Sequence, residues 1–154
     1  MSIEKKVSFY TTEQGDKPQV GEFSDFDMGY FQELEGEKGW IAIGQDNCRN
    51  PRYFTVTGVK GEKLGIVGVY DTAEDQNIIH TIVAPEFRGQ GLARQFNERL
   101  MDKLRLPFIT LTIDLENKPS LRAAEKSPGI KRVSDTKYEQ EFHKAKFIYK
   151  KQKA

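Results

Sequence analysis

The sequence is poor in the residues that carry thiol, imidazole and metal chemistry. Its 154 residues include one cysteine, two histidines and one tryptophan. The single cysteine, Cys48, excludes an internal disulfide and any cysteine-rich zinc or iron–sulfur site. It also argues against a disulfide-stapled secreted protein. We therefore expect no metal centre and no disulfide framework.

The sequence also lacks a strong charge of either sign and lacks long apolar runs. Its 24 Lys+Arg and 23 Asp+Glu leave a net charge of +1, which argues against a sequence-wide electrostatic hold on nucleic acid or acidic membrane. No run approaches the ~18 apolar residues of a membrane span, and no signal-peptide apolar segment follows the charged start. We therefore expect a cytoplasmic protein with no nucleic-acid or membrane partner.

The length suggests one domain, since domains typically hold roughly 100–200 residues. We predict a single domain over 1–154, with a core over about 52–135 and a variable part over 1–51. In that variable part, a strand is predicted over 7–11 and a loop over 46–51. Phe23, Phe26, Tyr30 and Leu34 recur at helical spacing, which predicts a helix capped by Ser24 or Asp25.

The rest of the chain alternates strands and helices. Three strands with short turns predict an antiparallel meander, and the third leads through a helix into a strictly alternating strand, which predicts a β-α-β crossover. The predicted strands cover 53–58, 64–70, 78–83, 108–115, 130–134 and 142–149, and the predicted helices cover 89–104 and 118–126. The fold class is therefore α+β (mixed α/β), with a mixed central sheet and flanking helices.

A turn with two glycines joins the third strand to the amphipathic helix. Gly89 and Gly91 allow a tight turn, and the first N–H groups of the helix favour an anion such as a pyrophosphate. Arg88 or Arg94 would add a charge-assisted contact. The same residues also fit a plain strand–turn–helix joint. A dinucleotide fingerprint fails because Arg94 stands where a glycine or alanine is needed, and no P-loop run occurs.

These residues resemble those of a known family. The run R-G-Q-G-L-A over 88–93 is similar to the R/Q-x-x-G-x-G/A motif of the GNAT superfamily of acetyl-CoA-dependent N-acetyltransferases. Asn117-x-x-Ser120, followed by A-A-E-K over 123–126, resembles the helix that follows the next strand in that family. The resemblance covers about 52–130 and has the same order of elements as the one derived above.

The resemblance implies a GNAT-like acyl-CoA N-acyltransferase fold with acetyl-CoA as co-substrate and no metal. It implies that the strand end offers backbone groups to the pantetheine arm, that the loop holds the pyrophosphate, and that splayed strands admit the thioester. The coenzyme-binding residues it implies are Ile82, Val83, Arg88, Gly89, Gln90, Gly91, Leu92, Ala93, Arg94 and Asn117.

The chain departs from the family at both usual catalytic positions. Asn77 stands where a carboxylate is common, and Ala124 takes the place of the usual tyrosine; neither transfers a proton. His80 is the candidate base, because an ordinary imidazole accepts a proton near neutral pH. Its alternative is a half-buried strand histidine. Ser120 is a candidate acid, with a plain helix-start residue as its alternative.

Three other features are weaker candidates for chemistry. Tyr138 is a second candidate acid, with a strand-flanking aromatic as the favoured alternative. Cys48 beside Arg49 is a candidate acyl carrier if that arginine lowers its pKa, but a loop cysteine without a role is favoured. The lysine-rich tail fits a solvated edge strand better than a coenzyme site. The last-strand His143 alternates with charged neighbours and is expected to be exposed.

The sequence thus favours an N-acetyltransferase that moves an acetyl group directly from acetyl-CoA to a primary amine. The acceptor is an unidentified small molecule or protein, and the oligomeric state stays open, a homodimer included. The alternative is a non-catalytic acyl-CoA-binding or regulatory module of the same fold. A third interpretation makes Phe23, Phe26, Tyr30 and Phe31 an exposed aromatic surface for another protein.

Overall fold

The computed structural model describes residues 18–35 and 47–151, so the predicted strand over 7–11 lies outside the described residues. The strands are β1 (Val20–Asp25), β2 (Arg49–Gly58), β3 (Lys63–Asp71), β4 (Ile78–Val83), β5 (Ile109–Asp114), β6 (Ile130–Arg132) and β7 (Lys144–Tyr149). The helices are α1 (Met28–Glu35), α2 (Leu92–Leu104), α3 (Lys118–Lys126) and α4 (Thr136–Phe142), with a short 3₁₀ turn over Pro85–Phe87.

The strands form one mixed sheet in the order β1-β2-β3-β4-β5-β7-β6. The first four strands form an antiparallel meander. β4 and β5 are connected by α2 and run parallel to each other, and β7 lies antiparallel between β5 and β6. The predicted meander, the β-α-β unit and the mixed α+β class are all confirmed.

The prediction of one helix from Phe23 to Leu34 is wrong in its first half. Phe23 belongs to β1, where its ring stacks on Phe54 of β2 at a centroid distance of 5.8 Å. The helix begins only at Met28, because the Asp27 carboxylate accepts a hydrogen bond from the Tyr30 backbone N–H (3.1 Å). The residues that recur at helical spacing therefore belong partly to a strand and partly to the helix that follows it.

The predicted loop over 46–51 is also wrong at its end. β2 already begins at Arg49, and its pairing with β3 shifts between Arg49 and Arg52. Asn50 has a left-handed φ of 50°, and Pro51 sits inside the irregular stretch. A bulge tolerates proline in a strand because the ladder hydrogen bond is already missing there.

The C-terminal part contains a helix that the sequence analysis missed. Asp135 accepts a hydrogen bond from the Tyr138 N–H (2.8 Å) and starts α4, and His143, exposed and with φ 56°, ends it. β7 therefore begins at Lys144, and it is an interior strand. The prediction of a solvated lysine edge is wrong here, since Lys146 Nζ lies 2.8 Å from an Asp75 carboxylate oxygen.

Helices cover the sheet and bury its apolar side chains. Leu92, Phe96 and Leu100 of α2 are at most 2% exposed and pack in the larger core. On α1, Phe31 is fully buried against β2, β3 and β4 side chains, with Phe26 and Tyr30 packed around it. The prediction of an exposed aromatic surface is therefore wrong. No described helix is both long and apolar enough to cross a membrane.

Candidate functional site

The two parallel strands at the centre of the sheet pair at one end only. Their one registered pair is Ile78 of β4 with Thr110 of β5. Beyond it the strands diverge, and a cleft of about 650 Å³ opens between them. Its walls include His80 and Thr81 on one side and Leu111 on the other. The fold thus provides an opening in the middle of the sheet, where the sequence analysis expected the strands to splay.

The backbone of β4 turns alternate residues toward this cleft. The Thr110 N–H donates to the Asn77 carbonyl (2.8 Å), so the Asn77 backbone faces β5. Because strand backbone groups alternate in direction, Thr81 and Val83 also face β5, while Ile82 faces β3. The backbone groups that face the cleft therefore belong to Thr81 and Val83, although the Val83 carbonyl already accepts a hydrogen bond from Arg88, and Ile82 contributes to the groove only as a lining residue.

The glycine turn after β4 has the conformation that only glycine adopts easily. Gly89 has φ 81° and Gly91 has φ 78°, and no atom lies within 4 Å of where a Cβ would be at either position. Gly91 is the N-cap of α2. The unpaired first N–H groups of α2 therefore open onto free space at the end of β4.

A groove of about 580 Å³ runs over this turn. It joins the end of β4 to the starts of α2 and α3, and Glu35 at the end of α1 also borders it. The predicted coenzyme residues that line it are Ile82, Val83, Arg88, Gly89, Gly91, Leu92, Ala93 and Asn117. Gln90 and Arg94 do not line it. The structure therefore brings eight of the ten predicted coenzyme residues to one surface.

The two arginines of the loop have different surroundings. The Arg88 Nε donates to the Val83 carbonyl (2.9 Å), which holds the guanidinium across the end of β4. The Arg94 Nε instead bonds a Glu98 carboxylate oxygen (3.0 Å) one turn along α2, and that contact raises the Arg94 pKa. Arg88 is thus the arginine that remains beside the groove.

The start of α3 completes the far wall of the groove. Asn117 is the N-cap of this helix, and its side-chain oxygen accepts from the Ser120 N–H (3.4 Å). Ser120 lies in the first turn and lines both the groove and a neighbouring cavity between α2 and α3. Both the functional and the helix-start interpretations of Ser120 are therefore compatible with its position.

His80 lies in a polar cluster set into an aromatic wall. Its Nδ1 is 2.9 Å from the Tyr53 hydroxyl, and its Nε2 is 4.0 Å from Oε1 of Glu35. The rings of Phe31 and Tyr53 meet the imidazole edge to face, at centroid distances of 5.5 and 5.6 Å. The cluster bridges the two openings, because His80 borders the cleft and Glu35 borders the groove.

The absence of a side chain at Gly68 leaves room for the Tyr53–His80 contact. Tyr53 and His80 lie on β2 and β4, and Gly68 of β3 is the register partner of both. A Cβ at Gly68 would collide with the Tyr53 ring. The ring therefore lies flat across β3 and reaches the imidazole two strands away.

The protonation states of the cluster follow from burial. Burial raises the pKa of Tyr53, so its hydroxyl stays protonated, and burial lowers the pKa of His80 to about 4. At neutral pH the imidazole is therefore uncharged. A tyrosine hydroxyl that donates to Nδ1 leaves the proton of the ring on Nε2, toward Glu35.

The His80 pKa predicts a pH-dependent stability. Unfolded His80 takes a proton below about pH 6.5, but the folded protein binds it only near pH 4, so the unfolded state gains protons first. The free energy of unfolding should fall by about 3 kcal/mol between pH 6.5 and 4 relative to a His80→Gln variant. Urea titrations at pH 7.5, 5.5 and 4 measure this difference. Parallel pH profiles in the two proteins would contradict the assigned pKa.

Two weaker candidates lie apart from this site. Cys48 immediately precedes β2, and burial, followed by the nearby Asp71 carboxylate, raises its pKa, which argues against an acyl carrier activated by Arg49 and favours a cysteine without a catalytic role. Tyr138 lies on α4 against Phe142, with Lys146 over its ring. In the described part of the chain, no group of three metal-binding side chains comes together.

Two residues of the site were not found from the sequence. Glu35 ends a helix whose placement depends on tertiary packing, and Tyr53 meets His80 across 27 positions. The available signal was Gly68, since a glycine inside a strand marks close approach of another group. It pointed to a contact but not to its partners.

Comparisons with known proteins give the following. Residues 10–127 match the family model described as acetyltransferase (GNAT) domain. A chimera of the Vibrio cholerae spermidine N-acetyltransferase SpeG and hSSAT is 17% identical, with TM-score 0.61, covering 86% of this chain and 95% of that one. SpeG of Vibrio cholerae in complex with manganese ions is 16% identical, with TM-score 0.58, covering 86% and 92%. No curated protein sequence matches this chain.

Proposed function

The chain belongs to the GNAT acetyltransferase family and is an N-acetyltransferase, and we propose that it transfers an acetyl group from acetyl-CoA to a primary amine. The transfer is direct, within a ternary complex in the cytoplasm. The family membership favours this enzyme over a non-catalytic module of the same fold. The observation that carries the proposal is that the groove over the glycine turn adjoins the cleft at Thr81, with Glu35 on the groove and His80 on the cleft.

The groove suits a long ligand with an anionic end. The left-handed glycines and the start of α2 direct N–H groups at a pyrophosphate, and Arg88 adds a positive charge beside them. Thr81 and Val83 offer backbone groups along the cleft edge, as a neighbouring strand would need. When bound, acetyl-CoA supplies an activated thioester carbonyl.

Glu35 is the group proposed to bind and deprotonate the acceptor amine. An acceptor ammonium would be attracted to its carboxylate, which then takes the proton and leaves the nitrogen able to attack. His80 is uncharged at neutral pH and does not attract an ammonium as a carboxylate does, so its proposed role is to position Glu35, whose Oε1 lies 4.0 Å from Nε2. Tyr53 in turn fixes the tautomer of His80 through Nδ1.

The acetyl transfer forms one nitrogen–carbon bond and breaks one carbon–sulfur bond. The amine nitrogen bonds to the carbonyl carbon and gives up its second proton to water, while the carbon–sulfur bond breaks and the sulfur leaves with the electron pair. Ser120 is the proposed donor to the sulfur, relaying a proton from water, and Asn117 holds the arm nearby. Much of the rate would come from holding the two reactants in place.

The proposal is tested by binding and turnover together. Isothermal titration with acetyl-CoA should give saturable binding, and a panel of primary amines should release free thiol in step with N-acetylated product. Omitting the amine should reduce thiol release to background. Saturable binding without product across a broad amine panel would support the non-catalytic alternative, and no binding at millimolar acetyl-CoA would overturn both.

A further inference from the structure

An apolar cavity, partly open to solvent, lies between α2 and α3, on the helix side of β5. Its volume is about 420 Å³, and its lining is mostly aliphatic, with Ile109, Leu111, Ile113, Ala123, Ala124 and Ile130 among the residues. Protein interiors contain few voids larger than a water molecule. This space is far larger than one water molecule, is lined mostly by aliphatic side chains and is reached from outside, so it has room for a ligand.

The cavity adjoins both openings of the site. It shares Ala93 and Ser120 with the groove over the glycine turn. It shares Asn97, Leu111 and Ile113 with the cleft between β4 and β5. A thioester carbonyl held in the cleft would thus have the cavity directly beside it.

The chemistry of the walls selects an apolar occupant. Ile109 is fully buried and Ala124 is 5% exposed, so the deep part offers no polar partner from these positions. The Tyr149 hydroxyl is engaged by Glu98 (3.1 Å). Two other polar lining residues are also engaged, since Arg94 Nε donates to Glu98 (3.0 Å) and the Ser127 hydroxyl donates to the Ala123 carbonyl (2.7 Å). Asn97 and Ser120 also face the neighbouring openings. A polar ligand would lose its hydrogen bonds here, whereas an alkyl chain would not.

We propose that this cavity holds the alkyl chain of the acyl donor, so that the enzyme takes acyl-CoA thioesters longer than acetyl-CoA. This inference rests on the proposed function. Because a water-sized group occupies about 30 Å³, a cavity of about 420 Å³ has room for about fourteen such groups, more than a chain of about four to eight carbons needs. The chain passes unchanged from sulfur to nitrogen, with the same bond made and broken as for acetyl.

The test measures affinity against chain length for CoA, acetyl-CoA, butyryl-CoA and hexanoyl-CoA by isothermal titration. Each buried methylene should tighten binding by about fourfold, so hexanoyl-CoA should bind at least about tenfold tighter than acetyl-CoA. Amine-dependent turnover with hexanoyl-CoA should accompany the tighter binding. Affinities that stay flat or fall with chain length would overturn the inference while leaving the proposed function intact.

Two variants that fill the cavity and one control sharpen the test. Ala124→Leu and Ala123→Leu place extra carbons in the cavity, and Arg122→Leu adds a leucine on the exposed face of the same helix. The ratio of hexanoyl-CoA to CoA affinity should fall about tenfold in either filling variant and stay unchanged in the control. Far-UV circular dichroism verifies folding, and Ala123→Leu serves if Ala124→Leu does not fold.

Two other outcomes have definite meanings. If either filling variant weakens CoA and hexanoyl-CoA equally, the cavity holds the pantetheine arm and the inference is wrong. If wild-type protein binds neither CoA nor any acyl-CoA, the proposed function itself has failed.

Discussion

Gly91→Trp should raise the dissociation constant for coenzyme A by at least about 100-fold. The indole would stand in the open space over the turn, where an anion would meet the first N–H groups of α2. Losing two charge-assisted hydrogen bonds costs about 3 kcal/mol, which corresponds to about 100-fold in affinity. Isothermal titration measures the effect directly.

Gly61→Trp is the matched control for this change. Gly61 lies in the turn between β2 and β3, its φ is 85°, and the space around its missing side chain is open in the same way. Both variants carry a left-handed strain of about 1–2 kcal/mol, so both should lose similar thermal stability. Coenzyme affinity should be retained only in Gly61→Trp. Equal affinities in the two variants would place the pyrophosphate elsewhere.

Glu35→Gln should lower kcat by about 100-fold or more while leaving the coenzyme affinity nearly unchanged. The amide keeps the shape of the side chain but no longer attracts an ammonium or accepts its proton, and proton transfer by a placed group is worth roughly 100- to 10,000-fold. Steady-state kinetics with saturating acetyl-CoA, together with titration of the coenzyme, separate the two effects.

Glu33→Gln removes the same charge from the same helix two positions away. Glu33 is exposed and does not border the groove, so this variant should keep the wild-type kcat. A His80→Gln variant should fall between the two, because it removes the group that holds Glu35 and not the proton acceptor. If Glu35→Gln retained full turnover, the proton would have to go elsewhere, and His80 would return as the candidate base.

The sequence predicted the central unit of the fold because that unit is built from local patterns. The i+4 spacing of Leu92, Phe96 and Leu100 and the alternation along β5 are each visible within a few residues. The glycine turn between them also has a local cause, its positive φ angles. The cap by Asp135 was equally local, but α4 is too short for its apolar spacing to indicate a helix.

The cluster of His80, Tyr53 and Glu35 was harder to predict because it depends on register and tertiary placement. His80 was identified as a residue type, yet its partners come from β2 and from the end of α1. Only the alignment of three strands through Gly68 brings the Tyr53 hydroxyl to the imidazole. Burial then sets the pKa of His80, and burial is not readable from alternation alone.

The single seam between β4 and β5 has a mechanical consequence. The sheet has a four-stranded part (β1 to β4) and a three-stranded part (β5, β7 and β6). The two parts are joined through one registered residue pair, Ile78 with Thr110. Such a joint resists twisting poorly, and local opening concentrates where few backbone hydrogen bonds cross. A long substrate lying in the cleft would contact both parts of the sheet and limit their relative motion. Substrate binding would then make the sheet more rigid at the site where the reaction takes place.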